Sequence, residues 1–423
     1  MLAIRADLLD FTATPAWQST ATAGVRWRPD HWLLIGDDGR ILGAQTADPG
    51  PDFERHDHRG RLLLPGFIDT HVHAPQLDVI ASYGSGLLDW LDTYTFPAEL
   101  RHADPAVAAE GAARFLDALL AHGTTAAVVF PTVHVASTNA LFEAASARGM
   151  RLIAGKVLMD RNAPDGLLDD VPGAERDCEA LIARWHGQGR NAYAMTVRFA
   201  VTSTPEQLAM AGALTRRHAG LYMQTHVAEN QDEVRWVAKL FPQSRSYLDV
   251  YHQHGLLHER AVLAHGIWLD AHDRALLRDT GAQIAFCPSS NLFLGSGLFD
   301  WQGAVDAGHK VSLASDVGGG TSLSMLRTAA EGLGLGQEIG HLDAGTLADV
   351  VVWDWAVGPV AEHRDAIARG AVPGVPAQSL HARVFAWMTL GDERNAIASY
   401  VAGEQQGERQ SVTRVNPGLN NLP

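Results

Sequence analysis

The sequence predicts an α/β protein with a (β/α)8 barrel of the TIM type and a small β-sandwich domain built from both chain termini. Between about residue 62 and residue 318, short β-branched runs alternate with longer Ala/Leu-rich stretches of helical period, which is typical of a parallel sheet with crossover helices. Eight such runs occur, and eight is the strand number of this barrel. The segments before and after them are again rich in β-type runs.

The predicted barrel strands are separated by segments long enough to hold helices. These strands are residues 62–73, 124–130, 152–159, 195–201, 221–229, 261–269, 283–290 and 311–318. A helix is predicted over 106–122, because its apolar positions share one face and Gly123 follows as a stop. The positions on this face are Ala108, Ala112, Phe115, Leu116, Leu119 and Leu120.

The flanking segments predict a second unit. Residues 1–61 contain WLLIGDDGRILGA, two apolar runs around an Asp-Gly turn, which predicts a β-hairpin. Residues 339–403 contain ADVVVWDWAV and RVFAWMTLGDERNAIASYVAG, which predict strands and a turn. We therefore expect 1–61 and 339–403 to form one β-domain beside a barrel of residues 62–338. The polar, turn-rich residues 404–423 are expected to be a tail.

Composition excludes several classes of partner. The chain has 33 Lys+Arg against 48 Asp+Glu, a formal charge of −15, which argues against nucleic-acid polymers and anionic membranes. Charges at Arg5, Asp7 and Asp10 stand where a secretory signal would be apolar. Cys178 and Cys287 are far apart and lack spaced partners, which excludes a disulfide framework or a multi-cysteine zinc site. We expect a cytoplasmic protein with no membrane partner.

Histidine and aspartate stand where several predicted barrel strands end. These residues are Asp69, His71 and His73 on strand one, His226 on strand five, His265 on strand six and Asp316 on strand eight. The carboxyl ends of barrel strands meet at one mouth, so we expect these side chains to lie together. Two imidazoles from one strand, a third from another and a carboxylate suit Zn²⁺ or Fe²⁺, with a position open for water.

Glu229 follows His226 by three residues, where strand five passes into its loop. A carboxylate beside such a metal can take a proton from water and return it to substrate. The structural alternative is a carboxylate that stabilises a helix N-terminus. Residues 74–100 form an aromatic-rich loop after strand one, a candidate substrate cover. Gly318–Gly320 lack the Lys-Ser/Thr of a phosphate loop, and we expect them to form a flexible loop.

These residues lie in motifs that resemble the metal-dependent amidohydrolase superfamily, namely LLLPGFIDTHVHAPQ, HVAE, LAHG and ASDVGGGTS. Longer stretches resemble its guanine deaminase branch, namely PGFIDTHVHAPQLDVIASYGSGLLDWLDTYTFPAE, RFAVTST, THVAENQDEV, FCPSSNLFLGSG and DVGGGTSLSMLRT. Together they extend over nearly the whole predicted barrel. The resemblance implies a homodimeric hydrolase of the amidohydrolase type that converts guanine, a small purine, into xanthine and ammonia.

The resemblance also implies roles for individual residues. One zinc ion per chain, with Fe²⁺ as the alternative, would be held by His71, His73, His226 and Asp316. Glu229 would be the proton shuttle, His265 would hold the attacking water, and Asp316 would double as a base toward it. The purine would be read by Gln76, Arg198 and Phe199, because these side chains supply hydrogen bonds and an aromatic face.

Two alternatives stay open at this point. The same site would suit another purine such as 8-oxoguanine or a related heterocycle, with Gln76, Arg198 and the cover loop deciding the preference. A non-catalytic scaffold on the same barrel is the alternative from another class. It gains support because the segment after strand eight, near residues 330–340, is shorter than the resemblance implies.

Overall fold

A computed structural model of the chain describes residues 1–12, 24–84, 86–325 and 341–408. The shortened segment near residues 330–340 lies outside these residues, as does most of the expected tail. Within the described residues, no helix combines the length and the apolar character needed to cross a bilayer.

The described strands follow one another along the chain as follows. They are β1 (Leu2–Phe11), β2 (Val25–Ile35), β3 (Ile41–Gln45), β4 (Glu54–Pro65), β5 (Phe67–His73), β6 (Thr124–Phe130), β7 (Arg151–Ala154), β8 (Val157–Leu158), β9 (Asn191–Val197), β10 (Tyr222–Val227), β11 (Ala261–His265), β12 (Gln283–Phe286), β13 (Lys310–Leu313), β14 (Val350–Trp353), β15 (Ala396–Val401) and β16 (Glu404–Glu408).

Helices fill most of the intervals between these strands. The α-helices are α1 (Leu87–Trp90), α2 (Phe96–Leu100), α3 (Pro105–Ala121), α4 (Val135–Ala147), α5 (Val171–Trp185), α6 (Pro205–Arg217), α7 (Gln231–Leu240), α8 (Tyr247–Gln253), α9 (Ala271–Thr280), α10 (Pro288–Phe293), α11 (Trp301–Ala307), α12 (Pro359–Ala368) and α13 (Leu380–Leu390). Short 3-10 turns cover Ala74–Val79, Arg101–Ala103, Asp165–Leu167, Ala200–Thr202 and Glu393–Asn395, and a π turn covers Leu91–Thr95.

The central sheet is the predicted barrel. Its strands are parallel and follow the order β5, β6, β7, β9, β10, β11, β12, β13, with β8 paired to β9. The barrel closes where the segment after β13 meets β5, because the Asp316 N–H donates to His71 O at 2.9 Å and the His73 N–H donates to Val317 O at 2.9 Å. The fold class predicted from the alternating runs is therefore confirmed.

Helix α3 follows the predicted pattern closely. The Asp104 side chain caps it by accepting from the Ala106 N–H at 2.8 Å, which satisfies one of the unpaired amides at the helix start. All six apolar positions of the predicted face are buried. Gly123 ends the segment with a φ of +78°, and a Cβ there would lie 2.4 Å from the Trp353 ring. Only glycine therefore suits this junction between α3 and β6.

Both chain termini build the second sheet, as predicted. Its strands follow the order β16, β15, β14, β4, β1, β2, β3, and the predicted hairpin is β2 with β3. An ion pair ties this sheet to the barrel: Arg190, which precedes β9, donates to both carboxylate oxygens of Asp349 at 3.0 and 2.5 Å. Asp349 also accepts from the Ala402 N–H at 2.9 Å, so one buried carboxylate joins both units.

The junction between the two units differs from the prediction. The run 62–73 is two strands, because β4 continues to Pro65 in the terminal sheet and only β5 belongs to the barrel. Gly66 makes the break, and a Cβ there would lie 2.1 Å from Thr125 Oγ1. At the other end, β16 carries the terminal sheet past residue 403, into the segment expected to be a tail.

The sequence RVFAWMTL forms part of helix α13 rather than the expected strand. Leu380, Val384, Trp387 and Met388 recur at helical spacing and pack on the aromatic cluster of the terminal sheet. The Trp387 and Trp353 rings meet at 5.4 Å with an interplanar angle of 76°. The β-branched and aromatic content of this stretch favoured a strand, but its 3.6-residue period decides the outcome.

Barrel strand three is also interrupted, between β7 and β8. The cause is Gly155, where a Cβ would lie 1.8 Å from Ala194 O in β9. We expect Gly155→Ala to lower the free energy of unfolding by about 1–3 kcal/mol, because β9 would have to move away. Urea denaturation measures this change. Gly86→Ala is the control, since a Cβ there meets no heavy atom within 4 Å, and equal destabilisation by both variants would contradict the steric argument.

Candidate metal centre and active site

The barrel gathers the predicted His and Asp residues at one mouth. His71 and His73 lie at the end of β5, His226 lies near the end of β10, and His265 is the last residue of β11. Asp316 follows β13 by three residues. His265 and Asp316 both have left-handed backbone, with φ of 71° and 50°. Such backbone costs free energy for these residue types, and it concentrates at functional sites.

Four side chains bring their donor atoms almost into contact. His73 Nε2 lies 3.1 Å from His71 Nε2 and 3.2 Å from His226 Nε2. Asp316 Oδ1 lies 3.1 Å from His71 Nε2 and 3.3 Å from His73 Nε2. A tetrahedral ion with nitrogen and oxygen ligands at about 2.0–2.1 Å separates those ligands by about 3.3 Å. The observed spacings therefore fit one such ion.

The protonation states also fit a metal. Burial lowers the pKa of His73 to about 3, and burial with the neighbouring histidines lowers the pKa of His226 well below its usual range. His226 Nδ1 lies 2.6 Å from Arg198 O, which can only accept, so the Nδ1–H must donate. That bond leaves the lone pair of His226 Nε2 facing the other metal-ligating atoms of the cluster. A metal requires this arrangement of an imidazole ligand.

His265 also reaches the cluster. His71, His226, His265 and Asp316 each place one donor atom within 4.8 Å of the others, but His265 Nε2 is farther from Asp316, at 3.7 Å from Oδ2. Its Nδ1 lies 2.8 Å from Asn291 Oδ1, which accepts the Nδ1–H. His265 Nε2 is thereby aimed at the space between Glu229 and Asp316.

Asp69 does not join the donor cluster, although it shares the strand face of His71 and His73. Its carboxylate accepts from the Ser315 N–H at 3.0 Å, from Ser315 Oγ, and from the His71 N–H at 3.3 Å. Full burial raises its pKa to about 6. Asp69 therefore fastens the segment that carries Asp316 to the strand that carries the histidines.

Glu229 lies beside the cluster in a position to move protons. Its Oε2 is 3.3 Å from His265 Nε2, and Ser296 Oγ donates to its Oε1 at 2.8 Å. Burial and the nearby Asp316 carboxylate raise its pKa to about 8. The alternative role, a carboxylate at a helix N-terminus, belongs to Glu233, which forms a capping box with the Asn230 amide at the start of α7.

A cavity borders these groups, with His73, His226, Glu229, His265 and Asp316 on its wall. Leu87, Trp90 and Leu91 from the aromatic-rich loop 74–100 line it. This loop is therefore a wall of the cavity, as the sequence predicted. Tyr83 from the same loop is 79% exposed and points elsewhere.

All three predicted purine-reading residues also line this cavity. They are Gln76, Arg198 and Phe199. Gln76 Oε1 accepts from the Gly318 N–H at 3.2 Å, which fixes the orientation of the amide. Its N–H groups and the second lone pair of Oε1 remain for a ligand. Phe199 is buried and supplies an apolar face.

The glycine run Gly318–Gly320, expected to form a flexible loop, lies in close contact with its neighbours. A Cβ on Gly320 would lie 1.8 Å from Ser315 O, and one on Gly319 would lie 2.8 Å from Ser290 Oγ. Gly319 also lines the cavity. These glycines are needed because the backbone approaches its neighbours closely around Asp316.

Three contributors to the site were not predicted from the sequence. Asn291 and Ser296 lie in and after α10 and hold His265 and Glu229, and Glu99 in α2 contacts Arg198. All three stand inside quoted motifs, in SSN, GSG and FPAE. Position within a motif is therefore the one signal that could have singled them out.

The fold and this site together define a metal-dependent hydrolase. Residues 62–333 match the model of the amidohydrolase family. The chain belongs to the amidohydrolase family, and family membership implies a divalent metal ion, for which the His/Asp cluster offers donors.

Comparison with known proteins narrows the resemblance. The chain is 40% identical to the guanine deaminase of Escherichia coli (strain K12), over 96% of this chain and 98% of that protein. The solved structure titled E. coli Guanine Deaminase has a TM-score of 0.91 at 39% identity and covers 97% of this chain and 100% of its own. Guanine deaminase from C. acetobutylicum with bound guanine has a TM-score of 0.82 at 25% identity, over 96% and 99% of the two chains. The predicted resemblance to guanine deaminases is confirmed.

Proposed function

We propose that the protein catalyses the zinc-dependent hydrolysis of guanine to xanthine and ammonia, a reaction on a C–N bond of a cyclic amidine. The observation that carries the proposal is a single cavity whose walls hold Glu229, the three purine-reading residues and four members of the His/Asp cluster, namely His73, His226, His265 and Asp316. The relatives named guanine deaminase support the choice of substrate.

His71, His73, His226 and Asp316 would hold the metal. When bound, a zinc ion acts as a Lewis acid and lowers the pKa of a water molecule toward about 7. Neutral imidazoles with one carboxylate favour zinc, and they also accommodate Fe²⁺. Metal analysis of the purified protein decides between the two.

Glu229 moves the proton in this scheme. It accepts a proton from the attacking water and delivers it to the ring nitrogen next to C2 of guanine. A C–O bond forms at C2, the bond from C2 to the exocyclic nitrogen breaks, and the amine leaves as ammonia after it gains the second proton of the attacking water, which Asp316 accepts and passes on. His265 and Asp316 hold the water, and Asp316 acts as a base toward it.

Three other residues of the cavity wall hold the purine. Arg198 donates to the ring carbonyl oxygen, Gln76 donates through its amide, and Phe199 packs against the ring. These contacts keep C2 facing Glu229. The cover residues Leu87, Trp90 and Leu91 exclude bulk water from the same space.

The direct test incubates metal-analysed protein with guanine and follows ultraviolet absorbance and ammonia release together. We expect equal amounts of xanthine and ammonia, with one zinc ion per chain. If the zinc-loaded protein leaves guanine intact but consumes 8-oxoguanine or a related heterocycle, that compound is the substrate instead of guanine. A chain that binds no metal would support the scaffold alternative.

Ser296 offers a sharper test of how Glu229 is held. We expect Ser296→Ala to lower kcat about 10-fold, with KM for guanine nearly unchanged, because the carboxylate loses one of the contacts that orients it. Steady-state kinetics measure both constants. Ser322→Ala removes an exposed hydroxyl outside the cavity and is the control. An unchanged kcat in Ser296→Ala would show that Glu229 needs no such support.

We place the protein in the cytoplasm as a homodimer. Cys178 and Cys287 are both free and buried, which suits a reducing compartment. The dimer rests on the resemblance to guanine deaminases. Analytical ultracentrifugation tests it, and a sedimenting species of 45.5 kDa, the mass of one chain, would overturn it.

A further inference from the structure

Glu99 is a buried acid in the aromatic-rich loop 74–100, the cover segment, which forms one wall of the cavity. It lies in α2, is fully buried, and has both carboxylate oxygens close to Arg198 Nη1, at 2.5 and 2.7 Å. The Arg198 guanidinium also lies 5.5 Å from the centre of the Phe96 ring. The cover segment thus meets the purine-reading arginine through an ion pair and an aromatic ring.

The ion pair changes what Arg198 presents to a ligand. A buried guanidinium without a counter-ion attracts anions strongly, because few water molecules screen it. With Glu99 beside it, the pair carries no net charge while Arg198 keeps N–H groups for a carbonyl oxygen. Glu99 therefore lowers the affinity of the site for neutral carbonyl ligands only a little, whereas it removes most of the electrostatic attraction for anionic ligands.

The substrate and product of the proposed reaction differ in this respect. Xanthine has a second ring carbonyl that spreads negative charge, so it is a stronger N–H acid than guanine. In mildly alkaline solution xanthine is largely an anion while guanine is still neutral. A site with an uncompensated arginine would hold the product more tightly than the substrate.

We propose that Glu99 is a specificity-determining positioning residue, which neutralises Arg198 so that the cavity accepts a neutral carbonyl purine and releases its anionic product. The inference rests on the proposed deamination of guanine. Glu99 acts through Arg198 and need not touch the substrate itself.

The test compares Glu99→Gln with wild type, using xanthine as a competitive inhibitor of guanine turnover. Measurements are made at mildly acidic and mildly alkaline pH, on either side of the first ionisation of xanthine. In alkaline solution we expect Glu99→Gln to lower the inhibition constant of xanthine about tenfold or more. In acidic solution the two proteins should differ little. Asp92→Asn removes the same charge from an exposed position of the same cover segment and should behave as wild type.

A role for Glu99 in folding alone would not produce this pH dependence. Unchanged or weaker xanthine inhibition in a folded Glu99→Gln protein would overturn the proposal. If that variant does not fold, the variant with both Glu99→Gln and Arg198→Gln replaces it, and calorimetry compares xanthine with guanine. In alkaline solution we expect the double variant to bind xanthine no more tightly, relative to guanine, than wild type does. Tighter relative binding of xanthine would overturn the proposal.

Failure of the proposed function gives a different result. If wild-type protein leaves guanine intact, the proposed deamination is rejected, whatever the variants do. Wild-type turnover with an unaltered xanthine response in Glu99→Gln rejects only the role of Glu99.

Discussion

Glu229→Gln should lower kcat for guanine by about 10²–10⁴-fold, the range that a positioned acid–base group contributes. Glutamine has the same shape and can still accept the hydrogen bond from Ser296 Oγ, but it cannot take a proton from water. Substrate contacts at Gln76, Arg198 and Phe199 remain, so guanine should still bind. Stopped-flow or steady-state absorbance measures turnover, and equilibrium binding of guanine is measured separately.

A matched control separates proton transfer from loss of one negative charge. Glu206→Gln removes an exposed carboxylate at the start of α6 and should leave kcat unchanged. Near-wild-type turnover in Glu229→Gln would exclude Glu229 as the proton shuttle. Loss of metal from this variant would show instead that Glu229 supports the donor cluster.

His226→Ala should remove both bound metal and turnover. Without His226 Nε2, which lies 3.2 Å from His73 Nε2, the cluster would lack one of its four metal-ligating atoms. Loss of an outer-shell partner costs about 10–100-fold in metal affinity, and loss of a direct ligand should cost more. Elemental analysis after gel filtration should find well below one metal ion per chain, and guanine turnover should fall to the uncatalysed rate.

Chelation gives the reversible form of the same experiment. Wild-type protein treated with a chelator should lose activity and regain it when Zn²⁺ is added, whereas His226→Ala should not regain it. His252→Ala, which removes a half-exposed imidazole on α8, is the control. Full metal content and activity in His226→Ala would exclude His226 from the ligand set.

The barrel and the donor cluster can be predicted from the sequence because both depend on the order of strands and helices along the chain. Alternation of strand and helix defines a parallel barrel, and the carboxyl ends of its strands meet at one mouth whatever the details of packing. His71, His226 and Asp316 could therefore be assigned to one place before their distances were known. The helix α3 was equally predictable, because its cap and its apolar face lie in one short stretch.

Other features depend on contacts between distant parts of the chain. Asn291, Ser296 and Glu99 act through partners far away in sequence, and only their position within the motifs distinguishes them from ordinary polar residues. The break at Gly66 follows from the approach of Thr125, and the Pro65-Gly66 pair is its local signal in the run 62–73. Helix α13 shows the limit of residue preference, since a stretch rich in strand-forming residues follows helical spacing.

Barrel closure has a consequence for how the protein acquires its metal. The backbone bond from Asp316 to His71 joins the first strand to the segment that follows the last strand, and the donors of the cluster come from these two parts of the chain and from β10. A partly synthesised chain therefore lacks a complete ligand set until the last strand has emerged. Metal capture would mark the end of folding, and contacts this distant in sequence form slowly. Zinc uptake during refolding should then lag behind the formation of secondary structure.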